Sequence, residues 1–211
     1  MKFVSIDLET TGLNPERCQI IEMAAVLFDT DSDERKVFET KVVHPDYCWE
    51  PTAFEMNRVL WDDILNYKYE TDGFEGYMPS VCLWTQFESW LVLNWGDDFI
   101  VNPVGVAGKN FSTFDLRFLE KLHNYSHVFH RRVLDPSSMF VRSDDDIPPN
   151  TTECMERALG KQPSGNHRAL GDAIEVGEMV LEFLRGNRGN QDDEILCQDK
   201  ERAVAQSECQ A

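Results

Sequence analysis

The sequence predicts an α/β domain, a mixed central sheet flanked by helices, on three observations. Strand-like runs open the chain at Phe3–Ile6, Ile20–Phe28 and Val37–Val43. Apolar residues at helical spacing dominate the second half. Short apolar runs between those helices bring the chain back to the sheet.

The elements follow in order. Phe3-Val4-Ser5-Ile6 holds β-branched residues and ends before the Thr10-Thr11-Gly12 breaker. Ile20–Phe28 is a longer apolar run closed by the turn Asp29-Thr30-Asp31-Ser32-Asp33, and Val37–Val43 alternates before His44-Pro45. Three strands joined by short turns give an antiparallel start. Trp84, Phe87, Leu91 and Trp95 share one face of a predicted helix. Phe99-Ile100-Val101 reads as a strand, Thr113–His123 as a helix with Phe114, Phe118 and Leu122 on one stripe, and Arg132-Val133-Leu134 as a strand. Thr151–Leu159 and Ala169–Leu184 close the domain as helices, the last with Ala169, Ala173, Val176, Val180 and Phe183 in phase. Residues 62–83 read as a loop, crowded with Tyr67, Lys68, Tyr69, Phe74 and Tyr77 around Gly73, Gly76 and Pro79. Its aromatics are expected to pin it to the surface, with base stacking as the alternative. The expected organisation is a domain over 1–185 and a polar tail over 186–211.

Composition limits the function. The 211 residues suffice for one substantial core, and 42% hydrophobic with 27% charged residues is ordinary for a soluble protein. No apolar run approaches the roughly 18 residues a membrane span needs, so no membrane partner and a cytoplasmic location are expected. Six cysteines, Cys18, Cys48, Cys82, Cys154, Cys197 and Cys209, lack zinc-type spacing. The formal net charge of −18 argues against broad phosphate neutralisation. Either the partner is not a nucleic acid, or its phosphates are held locally through divalent cations and a few placed side chains.

The chemistry-bearing residues begin with Asp7 and Glu9. At i and i+2 of a strand their side chains project to one face, where two carboxylates repel unless a cation lies between them. Hard divalent ions favour such oxygen ligands. Two further segments supply matching parts. Gly108-Lys109-Asn110-Phe111 followed by Phe114-Asp115-Leu116-Arg117-Phe118-Leu119 puts an acid at a helix start, and His167-Arg168-Ala169-Leu170-Gly171-Asp172-Ala173 puts a histidine five residues before another.

Together with Asp7-Leu8-Glu9-Thr10-Thr11-Gly12-Leu13 and the strand Gln19–Val26, these segments resemble the motifs of the DEDD superfamily of 3′→5′ exonucleases. The likeness is to its histidine branch, that of polymerase proofreading subunits, ribonuclease T and oligoribonuclease, and runs from about residue 3 to 184. Arg168 stands four residues before Asp172, where the other branch has tyrosine. The resemblance implies a ribonuclease-H-like fold. Asp7, Glu9, Asp115 and Asp172 match the four acids, and His167 matches the histidine. Two ions roughly 3.5–4 Å apart, Mg²⁺ with Mn²⁺ as substitute, would be held by the acids. His167 would take the proton of the attacking water, since histidine changes charge near neutral pH. Thr10, Leu13, Asn110 and Phe111 would contact substrate, Leu13 as a wedge beside the terminal base. Lys109 departs from the histidine often found before Asn110.

The expected function is release of nucleoside monophosphates from single-stranded DNA or RNA 3′ ends. Two alternatives stand beside it. One is a proofreading subunit docked to a polymerase through its tail, and the other a catalytically silent binding module.

Overall fold

The computed structural model describes residues 1–69, 77–165 and 167–187. Strands β1 (Lys2–Thr10), β2 (Ile20–Asp29), β3 (Ser32–Val43), β4 (Tyr77–Pro79), β5 (Val104–Ala107) and β6 (Phe129–Leu134) form one sheet in the order β4-β3-β2-β1-β5-β6. The first three pair antiparallel, as their short turns require, while β4, β5 and β6 add in parallel. The sheet is therefore mixed and β1 is central.

Helices cover both faces. Val4, Ile6 and Leu8 of β1 point into a core with α3 (Ser80–Asn94), whose Leu83, Trp84, Phe87 and Leu91 are buried, and with Phe118 and Leu119 of α4 (Asp115–Leu119). The alternate residue Phe3 faces the other core, with Ala24, Val26 and Phe28 of β2. There α6 (Thr151–Leu159) supplies Cys154 and Met155, and α7 (169–187) supplies Ala169, Ala173, Val176 and Val180. By strand alternation, Asp7 and Glu9 lie on this second face, under α7.

Local chemistry sets the helix limits. Asn150 and Glu153 form a reciprocal capping box at the start of α6, and Gly160 ends it at φ 63°. Small residues bring α7 close to the sheet: a Cβ on Gly177 would lie 2.0 Å from the Phe28 ring. That helix is described through residue 187, and residues 188–211 lie outside the described residues.

Three sequence expectations are corrected. Phe99–Val101 is a turn with Ile100 96% and Val101 79% exposed, and the strand is Val104–Ala107 instead. Pro103 cannot donate a ladder hydrogen bond, and Gly105 hides the true strand while allowing close approach to β1, where a Cβ would sit 3.3 Å from the Lys2 carbonyl. The helix expected at 113–123 is α-helical only over Asp115–Leu119, with turns on either side. The loop expected at 62–83 is largely regular. After α1 (Pro51–Met56), α2 (Arg58–Tyr69) packs Leu60 and Ile64, one helical turn apart, on Ile21; β4 and the start of α3 follow. Its aromatics masked that stripe. The side chains of Tyr67, Lys68 and Tyr69, and residues 70–76 with Phe74, lie outside the described residues. No helix among the described residues is long and apolar enough to cross a membrane.

Candidate active site

The site forms where the C-terminal end of β1 meets the first turn of α7. Asp7, Glu9 and Asp172 converge there, each offering a carboxylate oxygen within 4.8 Å of the others. Glu9 is 9% exposed, while Asp7 and Asp172 are half-buried. Asp115, 3% exposed, opens α4 on the adjoining side and is not part of that trio, although its charge reaches both Asp7 and Glu9. Pairing of β1 with β5 covers Val4 and Ser5. Beyond it, the Leu8 backbone N–H is taken up by the Asp115 carboxylate.

Burial and mutual repulsion raise the proton affinity of these acids. Desolvation, then the charges of Asp115, Asp172, Glu9 and Glu22, push Asp7 well above the carboxylate range. Desolvation and then Asp172 raise Glu9 to about 7 against a hydrogen bond from Asn57. Desolvation raises Asp115 to about 8, partly offset by its own and the Leu8 backbone N–H groups. Asp172 rises by desolvation and by Glu175, with His167 pulling the other way. Three converging carboxylates that resist joint ionisation fit a hard divalent cation, which supplies the missing positive charge and accepts an all-oxygen donor set.

His167 is exposed and lines a cavity of about 360 Å³ together with Asp7, Lys109, Thr151, Asp172 and Glu175. The structure thus brings all five predicted residues to one end of the sheet. The softer assignments divide. Leu13 is 75% exposed on a turn clamped by Glu50, whose N–H donates to the Thr11 carbonyl (2.8 Å) and whose carboxylate accepts from the Leu13 N–H (3.0 Å). Asn110 is exposed at φ 58°, its N–H donating to Asp135 Oδ2 at 2.9 Å. Thr10 is buried, its hydroxyl donating to the Gly12 carbonyl within the turn. Phe111, the fourth of these, is 1% exposed and packs edge-on against Phe129 in the core.

Sequence reasoning missed the residues that hold these groups in place. Asn57, buried, donates to the Thr10 carbonyl at 3.2 Å and to the Glu9 carboxylate. Glu22 is fully buried and binds Arg168 and the Ala169 N–H. Glu175 accepts from the Ser164 N–H at 2.7 Å. Only Glu22 left a signal, as an acid interrupting an otherwise apolar strand.

Fold and site together define a carboxylate cluster at the C-terminal end of a central strand of a mixed sheet, suited to hold a divalent cation. Comparison with known proteins carries this further. The exonuclease family model of the ribonuclease T type matches residues 4–73. The chain is 28% identical over 189 residues to oligoribonuclease of Neisseria meningitidis serogroup B, covering 84% of this chain and 88% of that one. It is 29% identical over 188 residues to oligoribonuclease of Halorhodospira halophila, covering 85% and 93%. Among solved structures, E. coli Exonuclease I in complex with a dT13 oligonucleotide superposes with a TM-score of 0.59 at 17% identity. That match covers 92% of this chain and 43% of the longer one, and supports the ribonuclease-H-like fold. These likenesses support a relationship to the DEDD 3′→5′ exonucleases. The relatives support a 3′→5′ exonuclease hydrolase, and the acidic cluster fits the divalent-metal dependence of such enzymes.

Proposed function

We propose that the protein shortens single-stranded RNA from its 3′ end, with short oligoribonucleotides as preferred substrates, releasing nucleoside 5′-monophosphates. The convergence of Asp7, Glu9 and Asp172 within 4.8 Å beside His167 carries the reaction, and the oligoribonucleases among its relatives support the substrate. A formal net charge of −18 favours small substrates held at the site over long strands held by basic surface.

Asp7, Glu9 and Asp172 would hold Mg²⁺, with Asp115 supporting a second ion. When bound, the ions neutralise charge on the phosphate and on the leaving oxygen. The chain's own groups do the rest. His167 takes a proton from the attacking water as its oxygen bonds to phosphorus. The bond from phosphorus to the 3′-oxygen of the preceding nucleotide breaks, and that oxygen takes a proton from solvent water to leave as a hydroxyl. Leu13, exposed on its clamped turn, would pack beside the terminal base. The polymerase-docking alternative rests on the tail, which lies outside the described residues from 188 onward, and is not carried further.

Rates on RNA and DNA of two to about ten nucleotides, matched in sequence, test the substrate. The expected result is faster cleavage of RNA and a rate that falls with length. Equal or faster cleavage of long DNA would replace this substrate with a DNA end.

A further inference from the structure

A second carboxylate system lies behind the cluster. Glu22 sits on β2 directly across from Glu9 of β1, and its side chain is wholly buried. Arg168 reaches it as a fork: Nη2 donates to Oε1 at 2.6 Å, and Nε donates to Oε1 at 3.0 Å and Oε2 at 3.1 Å. The backbone N–H of Ala169, first residue of α7, donates to Oε2 at 2.9 Å. One buried carboxylate thus caps the helix that carries Asp172 and grips the residue after His167. Capping a helix from another strand fixes its axial position, because free N–H groups in the first turn have no partner of their own.

His167 itself has φ 43°, in the left-handed region that a residue with a Cβ rarely occupies. Such a conformation persists only where neighbouring contacts over-determine it. Here the neighbours on the C-terminal side, Arg168 and Ala169, are both tied to Glu22. On the other side, beyond Gly165 at φ 68°, the Ser164 N–H is tied to Glu175 of α7. The histidine segment is thereby tethered at both ends to carboxylates that are not in the Asp7–Glu9–Asp172 trio.

We propose that the Glu22–Arg168 fork is a positioning device for His167, holding it facing the cavity it shares with Asp7 and Asp172. This inference rests on His167 being the proton acceptor. Glu22 is engaged by three side-chain contacts and one backbone donor, which keeps it from joining the neighbouring acids as a ligand. The bidentate geometry selects arginine, since lysine offers a point charge without the planar fork.

The test combines three variants, Arg168→Lys, Glu22→Gln and His167→Ala, each read for kcat, KM on a short oligoribonucleotide, thermal midpoint and calorimetric Mg²⁺ affinity. Arg168→Lys and Glu22→Gln are expected to lower kcat by roughly 10–100-fold, the usual cost of losing an orienting partner, with KM and Mg²⁺ affinity within about twofold. In the His167→Ala background the same changes are expected to add less than about twofold, because their effect passes through the missing imidazole. A further tenfold loss in that background, or a loss that follows Mg²⁺ affinity, overturns the proposal. So does full activity in both positioning variants. If His167→Ala alone is fully active, the reading of His167 as proton acceptor fails instead, and the two failures are distinguishable.

Discussion

The carboxylates of Asp7, on the first strand, and Asp172, on the last helix, meet within 4.8 Å although nearly the whole domain separates them in sequence. Their meeting depends on the packing of α7 over β1, so chemistry and fold stability are linked at this point. If the cluster holds the ions, Asp7→Asn keeps the shape but removes a ligand charge at its centre. The expected outcome is loss of turnover to background and weakened Mg²⁺ binding by calorimetry, with a folded circular dichroism spectrum. Activity within tenfold of the unaltered protein would dissociate Asp7 from the reaction.

Metal-free protein should become less stable as pH rises from about 4 to about 8. Glu9 is raised from 4.5 to about 7 and Asp115 from 3.8 to about 8. An acid whose folded value is raised binds its proton more tightly in the folded state. Its contribution is therefore complete below the unfolded value and lost as pH rises through the folded one. Melting temperatures in chelator across that window check this, and Asp115→Asn should flatten the slope. Added Mg²⁺ should raise the midpoint, most at the alkaline end, since it binds the ionised form. A midpoint in chelator that climbs between pH 5 and 8 would contradict the prediction.

Leu13 is 75% exposed, so Leu13→Ala should leave the thermal midpoint nearly unchanged. A wedge beside the terminal base predicts a several-fold rise in KM on dinucleotides and longer RNA, and little change on a nucleotide aryl ester that has no second base. Glu50→Gln, which weakens the clamp on the turn, should give a smaller effect of the same kind. Equal losses on both substrates would contradict the wedge, since the ester keeps the terminal base and lacks only its neighbour.

Gly177 tests the dependence of the site on helix docking. Its missing side chain lets α7 approach Phe28 closely, and an alanine Cβ there would overlap the ring. Overpacking of this kind costs on the order of 1–3 kcal/mol. Gly177→Ala should lower the denaturation midpoint by that measure and reduce activity by moving Asp172, which lies on the same helix. Unchanged stability would show that Phe28 can move aside freely.

The sequence made the functional residues more legible than the elements carrying them. Asp7 and Glu9 could be placed on one strand face because alternation is a local property, and Ala169 to Val180 could be placed in phase for the same reason. The likeness of the three motifs to one superfamily then joined segments that periodicity could not. What stayed hidden was non-local. Val104–Ala107 is a strand because it pairs with β1 and β6, and, with Gly105 inside it and Gly108 after it, its own pattern is weak. The α2 stripe of Leu60 and Ile64 was lost among aromatics that pack around it. Phe111 sits next to a site residue in sequence yet turns into the core, and nothing in the local spacing distinguishes the two directions. Glu22 and Arg168 were each visible, but their pairing across the fold was not.

Product analysis on 5′-labelled short RNA is the most direct test of the central claim, run with Mg²⁺, with chelator, and with Asp7→Asn in parallel. The predicted result is a ladder that shortens one nucleotide at a time from the 3′ end, present with Mg²⁺ and absent in the other two lanes. Cleavage that persists in chelator or in Asp7→Asn, or folded protein that leaves the RNA intact with Mg²⁺ present, would contradict it.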